Sequence, residues 1–283
     1  MTQTVTQPAG DVRVSYAGTV RSEWIKLWSL RSNVVMVALI VIAMLGLCTL
    51  VTLVNGHLAP TPFGGGAATD YPDLTDLSLA GAGLAELVAG VFGVLVVTNE
   101  YATGMIRATF TAQPRRLSVL SAKLLVCAST FLSLNVVLCF ASFFLGQALS
   151  GSTPWVPHPA TISEPHVLRE ILTTACYETL ILLLGMGLGW IIRNTAGALA
   201  SLFGLQLVLP VIVFAIPSET LRRIGRALPS PLPGESGFSM THIHDLTGVL
   251  THPFVWWVGA LVVLTYVVVA SVIGAFVVTR RDA

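Results

Sequence analysis

The sequence predicts an all-α integral membrane protein with six transmembrane helices, and three observations carry that prediction. Hydrophobic residues fill 54% of the 283 positions and charged ones only 10%, far from the balance of a water-soluble domain. The apolar residues gather into runs of about 18 or more with few charges, long enough to cross a bilayer. Lys and Arg concentrate in alternate gaps between those runs, the pattern of a chain that crosses repeatedly. The net charge of +1 is uninformative, because the charges are sorted by side rather than summed.

In chain order, residues 1–16 are polar and without periodicity, and read as a disordered tail; the transmembrane domain runs over 17–283. Val20, Trp24 and Trp28 recur at helical spacing with Leu27 alongside, while Arg21, Glu23 and Lys26 lie away from that stripe. This predicts an amphipathic helix on the inner surface, its tryptophans in the headgroup zone and membrane lipid its partner. The spans follow at about 33–54, 79–98, 118–149, 168–192, 197–216 and 253–279. The third exceeds one straight crossing and must tilt or project. Between the first two, Gly56 to Ser78 contains Pro60, Pro62 and Gly64-Gly65-Gly66 and reads as an outer loop. Pro210 predicts a kink in the fifth span. Ser218, Glu219, Leu221, Ile224 and Leu228 predict a short outer helix before the sixth, closed by Pro229, Pro231 and Pro233.

With the N-terminus inside, the inner face collects Arg13, Arg21, Lys26, Arg31, Arg107, Arg115, Arg116, Lys123, Arg193, Arg280 and Arg281. The outer face receives only Arg169, Arg222, Arg223 and Arg226, and the first outer loop carries Asp70, Asp73 and Asp76. Both termini are therefore expected in the cytoplasm, with the chain in the cytoplasmic (inner) membrane. The first apolar run is longer than the roughly 7–15 residues of a signal-peptide core, so it is expected to stay as a span.

Several chemistries are not expected. Lys26 and Lys123 are the only lysines and each precedes Leu, whereas a P-loop needs Lys followed by Ser or Thr behind a glycine-rich turn. The chain is expected not to be an enzyme and to bind no cofactor of its own; energy for transport must come from a gradient or another polypeptide. Cys48, Cys127, Cys139 and Cys176 lie in apolar runs and read as small buried hydrophobes. His57, His158, His166, His242, His244 and His252 fall in or beside outer loops. The i, i+2 pair His242 and His244 lacks the accompanying ligands of a metal site, and none is expected. Nothing points to nucleic acid.

The most specific stretch is the inner loop from Asn99 to Arg116, NEYATGMIRATFTAQPRR. Its Glu100-Tyr101, Gly104, Arg107 and closing Pro114-Arg115-Arg116 resemble the ABC-2-type exporter permeases, the membrane subunits of ABC transporters such as bacterial drug and antibiotic-resistance exporters. Arg21-Ser22-Glu23-Trp24 with Lys26-Leu27 looks like the N-terminal segment of the same family. The motifs cover residues 20–32 and 99–116; six spans with inner termini agree with the family's architecture. The resemblance implies a separate P-loop ATPase subunit carrying ATP and Mg, and a second permease copy or paralogue to complete the conduit. It also implies that Glu23, Trp24, Lys26, Glu100, Tyr101, Gly104, Arg107, Arg115 and Arg116 contact that ATPase. Physically, the charged groups offer charge-assisted hydrogen bonds, Met105, Ile106 and Phe110 apolar anchors, and Gly104 a bend.

Glu86 and Glu178 lie inside spans, where an ionisable residue marks a cargo or ion pathway by default but can equally be a hydrogen-bonded group that locks packing. Gly81, Gly83, Gly90 and Gly93, and Gly185 with Gly189, read as close-packing seams within the subunit or between copies. Export of a hydrophobic or amphiphilic compound (a drug, antibiotic or lipid) is the expected activity. Two other classes stay open: a proton-coupled secondary transporter relaying through Glu86 and Glu178, and a non-transporting anchor of an ATPase or sensor complex.

Overall fold

The structure is a computed structural model that describes residues 15–57, 74–113, 115–150, 161–209, 212 and 256–280. Among these, every regular element is helical. Helices α1 (Tyr16–Ser29), α2 (Arg31–His57), α3 (Leu74–Ser78), α4 (Ala82–Ala102) and α5 (Met105–Ala112) are followed by α6 (Arg116–Ser150) and α7 (Pro165–Ile192). Next come α8 (Thr195–Phe203), which runs into a π-helical turn over Gly204–Val208, and α9 (Trp256–Arg280). Five of them, α2, α4, α6, α7 and α9, are long and apolar enough to cross a membrane. The fifth predicted span is present as the shorter apolar segment Thr195–Val208. Its continuation with Pro210 lies outside the described residues. So do the N-terminal tail up to residue 14, the Pro60 to Gly66 loop, the helix expected over 218–228 with its prolines, and His158, His242, His244 and His252.

Local chemistry explains the boundaries. The Ser15 hydroxyl accepts from the Gly18 amide at 3.1 Å, the reciprocal of an orphan N–H and a serine cap, so α1 starts at Tyr16, four residues before the expected Val20. Leu30 is extended (φ −85°, ψ 118°) and separates α1 from α2, making α1 a distinct element. The Asn33 amide donates to the Leu27 carbonyl at 3.0 Å, satisfying one of α1's terminal acceptors. At the end of α7, Arg193 adopts the left-handed conformation (φ 58°) and its N–H bonds to the Gly189 carbonyl. Asn194 then caps α8 through the Gly197 amide, so the chain reverses within two residues. Helix α6 is continuous for 35 residues, about 52 Å at 1.5 Å per residue, which exceeds a bilayer core of about 30 Å.

The segment expected as an inner loop between the second and third spans is itself helical. Gly104, at φ 71°, turns the chain from α4 into α5, a conformation that a side chain at this position resists.

Helices α4 and α7 form the central pair, and glycine decides how closely they meet. A Cβ at Gly93 would run into the Leu182 carbonyl, and one at Gly185 into that of Gly90. The seam therefore lies within the subunit. Gly187 and Gly274 play the same part between α7 and α9, against Ala270 and Trp190. Helix α6 covers the other side of α7 and also contacts α1, α2 and α3. Phe92, Phe131, Ile171, Leu182, Met186 and Trp190 fill the core, while α2 and α9 turn broad apolar faces outward (Leu39, Ile42, Leu50; Val268, Val272, Phe276), as lipid contact requires. Of the four cysteines, Cys48, Cys127 and Cys139 are buried as expected and Cys176 is exposed.

Two glycines test the seam. Gly93→Ala should destabilise the bundle by about 1–3 kcal/mol through overpacking. Gly83→Ala, with nothing within 4 Å of the added carbon, should be neutral or stabilising by up to about 1 kcal/mol. Thermal unfolding of both variants in one detergent separates the two.

Candidate functional site

The two lysines of the chain meet in one place. Lys123, on α6, is 6% exposed and places its Nζ 2.8 Å from Glu23 Oε2 of α1 and 2.8 Å from Glu100 Oε1 of α4. Lys26 Nζ lies 2.7 Å from Glu23 Oε1 and 3.5 Å from Glu100 Oε1, and donates to Thr109 Oγ1 of α5 at 3.2 Å. Two ammonium and two carboxylate groups thus close a neutral ring joining α1, α4, α5 and α6. A buried lysine or glutamate is tolerated in its charged form only with such partners. A cavity of about 30 Å³, room for water but not for cargo, adjoins the ring between Leu30, Asn33, Asn99 and Met105.

Glu23 lies away from the tryptophan stripe, but it faces the bundle and is buried with Thr19 and Leu27, whereas Trp24 (48% exposed) and Trp28 (43%) point outward in edge-to-face contact. Burial alone would raise the Glu23 carboxyl, but Lys123 and Lys26 outweigh it and hold it below the ordinary value.

Around this ring two arginines grip the end of α9. Arg116 donates to the Val278 carbonyl at 2.8 Å and lies over the Phe110 ring. Arg193 donates to the Val277 carbonyl at 3.0 Å and lies over Tyr101. These are terminal carbonyls of a helix, where cations are favoured. Of the residues that the sequence nominates, Glu23, Lys26 and Glu100 come together, and Tyr101 and Arg116 belong to the neighbouring anchors. Trp24, Gly104, Arg107 and Arg115 are exposed. Sequence reasoning left out Lys123 and Arg193. A lysine seven residues into an apolar helix should have flagged itself, since it demands carboxylates.

The two intramembrane carboxylates occupy a second polar region. Glu86 Oε1 accepts from the Tyr177 hydroxyl at 3.1 Å and from the Gln206 amide at 2.8 Å, and the π turn is what brings buried Gln206 into reach. Glu178, one residue beyond Tyr177, is 1% exposed, and its Oε1 has no hydrogen-bond partner among the described residues. Nearby on α6, Asn135 donates to Thr179 Oγ1 at 3.3 Å. Tyr177 and Gln206 were not anticipated. Among the described residues, no group of three or more His, Cys, Asp or Glu is placed to hold a metal; His166 is exposed and pairs with Glu164 at 3.2 Å.

Fold and site together define a helical bundle with five helices long and apolar enough to cross a membrane, a charged ring at one end and two buried carboxyl groups in its interior. Compared with known proteins, the chain matches no protein-family model and no curated sequence.

Two measurements probe these regions. Because the Glu23 carboxyl is held below its ordinary value of 4.5, the stability it gives α1 is complete above about pH 4.5 and is lost as pH falls through the lower, folded-state value. Fluorescence of Trp24 and Trp28 followed from pH 7 to pH 3 should show that transition, and Glu23→Gln should remove it. In the interior, Glu86→Leu strands the Tyr177 hydroxyl and should destabilise by about 1–3 kcal/mol. Glu86→Gln keeps an acceptor oxygen and should unfold within about 1 kcal/mol of the parent.

Proposed function

We propose that the chain is the membrane-spanning subunit of an ATP-driven exporter in the cytoplasmic membrane, with ATP and Mg bound on a separate P-loop ATPase that docks at the ring end. The cargo is a hydrophobic or amphiphilic compound, and a second copy or a paralogue completes the conduit. The observation that carries this reading is α5. It is a short helix standing at the corner between two crossing helices, anchored on one side by Ile106, Thr109 and Phe110. Its other side leaves Arg107, Ala108, Thr111 and Ala112 open. Small residues around one cation form a knob that another protein can enclose closely, with the arginine as anchor. The exposed Arg21, Arg31 and Arg115 fit the cytoplasmic side under the positive-inside rule.

A second reading, proton-coupled transport, rests on Glu178: an acid buried in α7 without a hydrogen bond to one of its oxygens among the described residues. Intramembrane acids of this kind serve proton relays in pumps.

Affinity isolation of the full chain from its native membrane in mild detergent, with mass spectrometry of what stays bound, tests the first reading. A stoichiometric P-loop ATPase should co-purify. Arg107→Glu should reduce its recovery by about tenfold or more, as reversal of an interfacial charge does, without lowering thermal stability. If gentle conditions never yield an ATPase, the exporter reading fails. Proton flux abolished by Glu178→Gln would then favour the second.

A further inference from the structure

The charged ring has a property that neither the family resemblance nor the proposed activity requires. It joins four elements, yet the connection passes through one atom. Lys123 Nζ sits 2.8 Å from a carboxylate of α1 and 2.8 Å from a carboxylate of α4. Lys26 bridges the same two carboxylates and reaches Thr109 on α5, but belongs to α1 itself. Take Lys123 away and α1, α4 and α5 still hold one another, while α6 loses its charged link to them.

We propose that Lys123 is a positioning residue that locks α1 and the α4–α5 corner to the long helix α6 through a charge-balanced ring, so that displacement of α5 is carried into α6. This deepens the exporter reading: only the consequence for transport rests on that reading, and the lock itself does not.

Three facts favour this over a merely structural lysine. The first is burial: Lys123 and the two carboxylates are all under 10% exposed, so solvent screens the pairing far less than it would at the surface. The second is the shape of α1, whose fully buried residues are only Thr19, Glu23 and Leu27, while Tyr16, Trp24, Ile25 and Trp28 face outward; of the three, only Glu23 carries charge, and it is paired with Lys123 of α6. The third is stoichiometry. The ring contains two cations and two anions, so removing Lys123 leaves an excess buried anion, and removing Glu23 with it restores one neutral pair, Lys26 with Glu100. An effect of volume or packing follows no such arithmetic.

The test uses the full chain in nanodiscs. Trypsin cleaves after Lys26, which is engaged in the ring, and the fragment is quantified by mass spectrometry. Lys123→Met keeps the apolar stem and removes the charge; cleavage after Lys26 should accelerate by about tenfold or more, because a broken buried pair leaves an uncompensated charge. The charge exchange Glu23→Lys/Lys123→Glu, a double variant that restores an opposite-charge pair between α1 and α6 and keeps the ring neutral, should return towards parental protection. Unchanged cleavage in Lys123→Met overturns the proposal, and so does acceleration that the double variant fails to reverse. If Lys123→Met does not fold, a folded and protected double variant supports the charge argument, and a double variant that also fails to fold overturns it. Where an ATPase co-purifies, Lys123→Met should keep hydrolysis while cargo export falls about tenfold, the signature of a lost transition between coupled states. Parental export in that variant would overturn the transmission step. Absence of any ATPase would sink the exporter reading and leave the protection result standing.

Discussion

A lysine ammonium in an apolar helix has to be neutralised where it stands, and much of the architecture at the basic end follows from that constraint on Lys123. Transfer of an unpaired charge out of water is far costlier than any packing gain can offset. Helix α1 therefore cannot drift along the membrane surface: Glu23 must face inward, and the tryptophans on the adjoining stripe then face outward. Helix α4 must end where Glu100 reaches the same ammonium, which places Gly104 and the turn into α5. The outward tryptophans and the inward carboxylate are two results of one rotation of α1, and its amphipathic reading was incomplete because a hydrophobic stripe was assumed to be the only side that packs.

The second constraint is steric. Backbones of α4 and α7 approach so closely at Gly93 and Gly185 that any side chain there collides with a carbonyl, as expected where helices associate by packing rather than by exclusion of water. That approach fixes Tyr177 against Glu86. Helix α8 is held to the pair differently, by Thr195 against Thr98 at 2.9 Å and by Gln206, which needs a π turn to reach its carboxylate. A π turn is a strained way to continue a helix and is common at functional sites, so α8 is the more adjustable partner in this trio.

Much of the fold was legible because it depends on composition over long windows. The spans at 33–54, 79–98, 118–149 and 168–192 agree with α2, α4, α6 and α7 to within a few residues, since an apolar run has few alternatives in a bilayer. What was not legible depends on pairing across distance. Nothing local to Lys123 names Glu23 as its partner, a hundred residues earlier, and nothing around Arg193 announces that it caps α9. The glycines announced close packing but not the partner, and only the structure assigns them to contacts inside the subunit. The stretch 99–116 read as a loop because α5 has eight residues, too few for periodicity to stand out, and because Gly104 resembles a breaker before it is seen as a turn.

The two polar regions share α4. Glu100 and Glu86 are fourteen residues apart on it, about 21 Å along the axis, and the helix between them is locked to α7 by the glycine seam. A rigid strut with a charge at one end and a carboxylate near the other transmits translation and rotation with little loss, whereas a flexible one would absorb them. Force applied at α5 would enter α4 at Glu100, and α4 and α7 would respond as one body. At the boundary with the α8 segment, Glu86 meets Gln206 through a 2.8 Å hydrogen bond. Breaking that bond without replacement exposes a buried acceptor, while exchanging it for another donor is nearly neutral.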